Sequence, residues 1–168
     1  MSSFKPRIAF ASLAASLLLS GCLQPMYGGI EGAALRSELS AIAIEPIPDR
    51  IGHYLANELI FSLNGTGSQV TPKYRLYIAI RETVQTPLID TISGRATAGS
   101  VVVDADYRLV PAAGGIPVTE GVAFTVASYD RSSQRFANIR AARDAEIRDA
   151  KTLADQIKTR LAIALARN

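Results

Sequence analysis

Between Lys73 and Tyr129 the sequence alternates apolar and polar residues in three successive runs, and a long stretch with helical spacing closes the chain. Alternation with a period of two makes a strand with one face in a core. In the first run, Lys73–Val84, Tyr74, Leu76, Ile78 and Ile80 share a face against Lys73, Arg75, Arg81 and Thr83. Thr86-Pro87 breaks it, and a loop containing Ser93-Gly94 follows. The second run, Thr97–Val110, sets Val101, Val103, Ala105, Tyr107 and Leu109 against Val102, Asp104, Asp106 and Arg108. Pro111 and Gly114-Gly115 supply a turn, and in Val118–Tyr129 the residues Val122, Phe124 and Val126 alternate with Thr119, Thr125 and Tyr129. Connections this short join antiparallel hairpins.

The flanks add a strand and two helices. Leu39–Ile44 is apolar on both faces, as a short strand buried on both sides is, and Pro46 and Pro48 end it. Asp49 is placed to cap a helix to Leu63, whose Ile51, Leu55, Leu59 and Leu63 form a stripe, and Asn64-Gly65 stops it. In the closing helix Ile147, Ala150, Ala154, Ile157, Leu161 and Leu165 line one face, with Ser132 or Ser133 available as a cap. Asp144–Arg148 and Lys151–Asp155 can form pairs four residues apart on the wet side. At 1.5 Å per residue that helix reaches roughly 45 Å, enough to cross a sheet. A crossover through the first helix implies a parallel pair. The expected fold is α+β: a four-stranded mixed sheet in the order β-α-β-β-β-α, with two helices packed on one face and a signal peptide in front.

The N-terminus has the parts of a secretory signal. Lys5 and Arg7 precede an apolar stretch, Ile8–Leu19, too short for a permanent span, and Leu19-Ser20-Gly21-Cys22 follows. That tetrad resembles the lipobox of bacterial lipoproteins. The resemblance implies cleavage before Cys22, a diacylglyceryl thioether on its sulfur and an acyl group on its amine. Cys22 is the one cysteine, so no internal disulfide forms. No Asp follows it to signal inner-membrane retention, which favours the periplasmic side of the outer membrane. Residues 1–21 are then signal, 22–37 the lipidated N-terminus and tether, and 38–168 one domain. Loss of Lys5 and Arg7 lowers the net charge from +3 to +1, leaving no concentrated basic face for nucleic acid.

Two further segments carry a family resemblance. Gly21-Cys22-Leu23-Gln24-Pro25-Met26-Tyr27-Gly28 resembles the Gly-Cys-Phe-x-Pro-Leu-Tyr-Gly opening of the LptE family, with Leu23 for the aromatic residue and Met26 for Leu. The helix segments Ser132-Ser133-Gln134-Arg135-Phe136-Ala137, Ala142-Arg143-Asp144-Ala145 and Leu153-Ala154-Asp155-Gln156-Ile157 resemble that family's closing region. The resemblance implies an outer-membrane lipoprotein that plugs and helps assemble the LptD β-barrel. It also implies binding of lipopolysaccharide on its way to the outer leaflet, with no catalysis and no cofactor beyond the lipid on Cys22. An accessory lipoprotein of another envelope lipid-transport system, of ABC type, is the alternative.

If three loops (46–50, 86–95 and 130–135) gather at one end, Arg50, Arg95, Arg131 and Arg135 gather with them. Guanidinium forks suit the phosphates of lipid A, although surface arginines are more often simply solvated. Arg75 and Arg81 could instead meet polar residues lining the barrel. Asp104 and Asp106 have the spacing of an acid–base pair, but a solvated or partner-facing edge beside Arg108 suits them better. They are also too few for a calcium site. His53 alone builds neither a zinc site nor, without a Gly-x-Ser-x-Gly elbow, a hydrolase triad. The tyrosines at 74, 77, 107 and 129 fit packing at strand period.

Overall fold

The computed structural model describes residues 29–65, 70–86 and 97–167, and the chain divides into units of residues 1–34 and 35–168. In the first unit the description covers only residues 29–34, the start of helix α1 (Gly29–Ser40). The second unit carries the end of α1, then β1 (Ile42–Ile44), α2 (Asp49–Asn64), β2 (Tyr74–Gln85), β3 (Ala98–Pro111), β4 (Thr119–Asp130) and α3 (Arg135–Ala166). The signal segment, Cys22, Pro25–Gly28 and Arg95 lie outside the described residues.

The sheet has strand order β1-β2-β3-β4. β1 runs parallel to β2 through Ile42–Tyr74 and Ile44–Leu76, and β2–β3 and β3–β4 are antiparallel. The α+β order β-α-β-β-β-α and the mixed sheet therefore stand as the alternation implies. An added helix, α1, begins at Gly29, inside the segment expected as tether. Leu39, expected in the first strand, belongs to α1 and is buried there. The Gly-, Ala- and Ser-rich segment has no strong apolar stripe, so its helical state leaves little trace in the pattern.

Register fixes which side of each strand is covered. Leu76 and Ile78 of β2, Val101 to Leu109 at odd positions of β3, and Ala123, Thr125 and Ala127 of β4 face the core. Ile51, Leu55, Leu59 and Leu63 of α2 and Ala150, Leu153, Ala154, Ile157 and Leu161 of α3 complete it. The alternation in β4 is as read, but its large residues point away from the core. Val122, Phe124 and Val126 are about half exposed, and the small set is inside. Long α3 approaches β4 closely through alanines, which leaves no room there for Phe or Val side chains. Two cross-strand pairs fill the remaining space. Tyr107 lies over Gly121, and Tyr129 lies over Gly99.

The helix starts differ from the capping expected. At α2 the cap position is Pro48, without a side-chain hydrogen bond, and Asp49 is the first helical residue, with φ 68°. Its carboxylate still sits in the first turn, where the helix dipole favours it. At α3 the cap position is Gln134, not a serine. Ser132 instead accepts from the Gln134 N–H at 3.2 Å, and Asn138 clamps the Ser132 backbone through both its amide atoms. The stop at Gly65 is as expected: φ is 59° and its N–H donates to Phe61 O at 2.9 Å.

Candidate functional site

Register separates the loop arginines into two places. β1 ends opposite Leu76, well before β2 ends at Gln85, so the loop leading to Arg50 lies beside the middle of β2. The segment after β4 lies at the far end, where the Arg131 N–H donates to Thr97 O at 2.9 Å. Arg131 and Arg135 are both exposed, four positions apart at that end, and Arg50 is not with them. Along α3, the contact point of Arg50 is eleven residues, or about 16 Å, from Arg135.

Arg50 instead makes a two-pronged ion pair with Glu146. Its Nε donates to Oε2 at 2.7 Å and its Nη2 to Oε1 at 2.5 Å. The pair is lopsided: the Arg50 side chain is 56% exposed and the Glu146 side chain 5%. This hydrogen bond and the carboxylate charge raise the Arg50 pKa. One turn further along α3, Asp149 is fully buried, with Oδ1 accepting from the Thr125 hydroxyl at 3.0 Å. Its Oδ2 has no hydrogen-bond partner. Burial pushes the Asp149 carboxyl above the usual carboxylate range, while Thr125, the Ala127 backbone and Arg148 pull it partly back. Glu82 of β2 is raised too, first by burial and then by the charge of Glu146, with Arg50 opposing.

This polar seam is not visible in the sequence. The apolar spacing places Ile147 inward, yet Ile147 is 42% exposed while Glu146 and Asp149 are buried. Two carboxylates three residues apart, flanking an apolar position, are the available signal. Arg50 across the interface is what makes Glu146 tolerable inside.

The sheet face away from the helices carries the other residues singled out. Asp106 pairs with Arg81 at 3.3 Å, and Arg75 pairs with Glu45 at 3.2 Å. The Arg108 guanidinium carbon lies 5.1 Å from the centre of the Tyr77 ring, a cation–π contact. Glu45, Tyr77, Asp106 and Arg108 line an open cleft of about 510 Å³, together with Glu120 and Val122. Asp104 shares the face, opposite Arg81 and Phe124, so the two aspartates lie among cations and apolar groups. His53 is exposed on α2, with Nε2 3.2 Å from the Asn57 amide. Tyr74 and Tyr77 are half-buried and Tyr107 is buried. Among the described residues no His, Cys, Asp and Glu group could hold a metal ion, and no helix is long and apolar enough to cross a membrane.

β4 is an edge strand, and α3 closes that edge. Arg148 donates to Ser128 O at 2.9 Å, Gln156 to Phe124 O at 3.1 Å, and Arg160 to Val122 O.

Known proteins agree with this architecture. The profile of the LptE family, described by lipopolysaccharide assembly, matches residues 39–161. A Caulobacter crescentus CB15 protein described as a lipoprotein has a similar crystal structure, with TM-score 0.67 and 28% identity over 81% of this chain and 98% of that one. Rare lipoprotein B of Shewanella oneidensis superposes with TM-score 0.55 at 10% identity, over 75% of this chain and 96% of that one. A minor lipoprotein of Acinetobacter baumannii gives 0.52 at 16% identity, over 73% and 90%. At those identities the last two share the fold alone. No curated protein matches the sequence. The match over residues 39–161, on a fold with the expected strand and helix order, shows that the chain belongs to the LptE family of lipopolysaccharide-assembly proteins.

Proposed function

We propose that the protein is a lipoprotein anchored through Cys22 on the periplasmic side of the outer membrane, where it plugs and helps assemble the LptD barrel and binds lipopolysaccharide. It does this without chemistry of its own. The observation that carries the reading is the family match over residues 39–161. The shape of the domain supports it. Both α2 and α3 lie on one side of the sheet, and the other side presents Val122, Phe124 and Val126 beside ion-paired strands. A subunit enclosed by another needs such a mixed, uncovered face. The end of the domain near Arg131 and Arg135 supplies exposed guanidinium groups for lipid A phosphates, and Arg95 is the third member of the proposed set. Arg50 is the weaker member, because its fork is already occupied by Glu146.

Photo-crosslinking from positions 131 and 135 in living cells tests the lipid part. Lipopolysaccharide adducts at both positions, absent from a probe at Ile116 in the opposite turn, are expected. Equal labelling at all three positions contradicts a site at this end. For the anchor, the purified chain should carry a mass increase matching three acyl chains, lost in Cys22→Ala.

A further inference from the structure

Two contacts fix the direction of the hydrogen bonds along β2. The Ala112 N–H donates to Lys73 O at 2.8 Å on the β3 side, and the Glu45 N–H donates to Leu76 O at 3.0 Å on the β1 side. In a β-strand successive residues turn their N–H and C=O groups to opposite sides. Odd-numbered residues of β2 therefore bond to β3, and even-numbered ones turn outward. β1 ends at Ile44, opposite Leu76, and Pro46 and Pro48 follow it. Beyond that point Ile78, Ile80, Glu82 and Val84 turn their N–H and C=O groups outward, where these find no partner among the described residues. The open length is about 20 Å.

The opposite edge of the same sheet is treated differently. The contact of the Arg131 N–H with Thr97 O makes the even-numbered residues of β4 the outward ones, and α3 side chains reach the carbonyls of Val122, Phe124 and Ser128. An edge left open over this length is a template for another strand. Water serves such groups on a free domain. A domain enclosed in a barrel loses much of that water, and its outward backbone groups then need protein partners.

We infer that the outer edge of β2, from Ile78 to Val84, receives an extended segment of the barrel partner as a fifth strand of the sheet. The barrel's own strands pair around a closed ring and offer no free edge. The occupant is therefore an inward-turning loop of the barrel, continuing the line of β1 where Pro46 leads that chain away. Glu82 is exposed, and the cation near it, Arg50, has its fork on Glu146. A basic residue abreast of Glu82 and an apolar one abreast of half-buried Ile80 are the complement this edge selects. Backbone bonds supply the affinity and these side chains the register. The inference deepens the reading of the domain as a barrel plug and rests on it for the partner.

Amide hydrogen exchange on the full chain, alone and recovered with its barrel, reads this edge residue by residue. In the free chain the amides of Ile80, Glu82 and Val84 should exchange fast, and those of Ala79, Arg81 and Thr83, bonded to β3, slowly. In the complex the first three should slow to the rate of the second three. Val84→Pro removes an outward N–H and leaves the β3 ladder whole, so circular dichroism should match the parent. Competing with the untagged parent for the same barrel, it should be recovered about fivefold less, the effect of one lost hydrogen bond. Val84→Thr keeps the N–H and should compete equally. A barrel recovered while Ile80, Glu82 and Val84 still exchange fast overturns the inference and leaves the plug reading standing. Protection of these amides already in the free chain also overturns it, and assigns the edge to this chain's own residues or to a second copy. Recovery without any barrel removes the plug reading and this inference with it. If Val84→Pro does not fold, exchange in the parent chain decides.

Discussion

At the scale of single residues, the helix–sheet interface is held by groups that are costly when left alone. Glu146 is almost fully buried and Arg50 only half so. Removing the arginine strands a buried charge, and removing the acid leaves a cation that water can reach. Arg50→Ala should therefore cost about 1–3 kcal/mol. Glu146→Gln should cost clearly less, as read by urea denaturation. Equal costs would contradict the asymmetry. Asp149 gives a pH-dependent counterpart. Its folded carboxyl holds a proton more tightly than the unfolded one, because burial raises it. Its contribution is then fully present below the unfolded value and is lost as pH rises through the folded one. Asp149→Asn should be more stable than the parent at neutral pH, with the gain shrinking as the pH falls toward the range where a free aspartate is protonated. A gain that grew on acidification would reverse the assignment. The glycine–tyrosine pairs discriminate further. A Cβ at Gly121 would stand 2.9 Å from the Tyr107 hydroxyl oxygen, and one at Gly99 would stand 2.5 Å from the Tyr129 ring carbon. Both alanine variants should lose about 1–3 kcal/mol. Tyr107→Phe should recover much of the loss at Gly121, while Tyr129→Phe should recover less at Gly99, where the ring carbon stays at 2.5 Å once the hydroxyl is gone.

At the scale of elements, α3 does two jobs with one spacing. The residues that seal β4 are separated by eight and then four positions, about 12 and 6 Å along the helix. The carbonyls they meet are separated by four and then two positions, about 13 and 6.6 Å along the strand. A turn of helix thus tracks two residues of strand, and the open edge is covered by side chains. Gln156→Leu with Arg160→Leu should leave the fold intact by circular dichroism but uncover strand-pairing groups. Light scattering should then rise with protein concentration, and a variant as monodisperse as the parent would show the seal to be dispensable. The elements also show what pattern can and cannot reveal. β2, β3 and β4 lie within a residue or so of where alternation puts them, because strands with one wet face must alternate. The orientation of β4 is hidden, since Val122, Phe124 and Val126 look like core residues until the alanines of α3 are set against the other face. Helix α1 is hidden because small residues give no stripe. Arg131 and Arg135 lie four positions apart at the start of α3, while Arg50 is held by Glu146, a partner 96 positions distant that local spacing cannot announce.

At the scale of the whole molecule, the described domain is one-sided. One sheet face is packed under α2 and α3, one edge is sealed, and the other face and the base of α3 are left with apolar and cationic groups in view. β1 pairs only with Tyr74–Leu76, so among the described residues no strand meets the outer side of β2 beyond that point. Such a surface suits a subunit that works in contact with a membrane and a larger partner, in keeping with membership of a lipopolysaccharide-assembly family. The most direct test is recovery of the tagged chain from outer membranes in mild detergent, followed by mass spectrometry of what accompanies it. The account predicts a stoichiometric large β-barrel whose amount in the membrane falls when this chain is depleted. Recovery of the chain alone, or with subunits of an inner-membrane transporter, would contradict it.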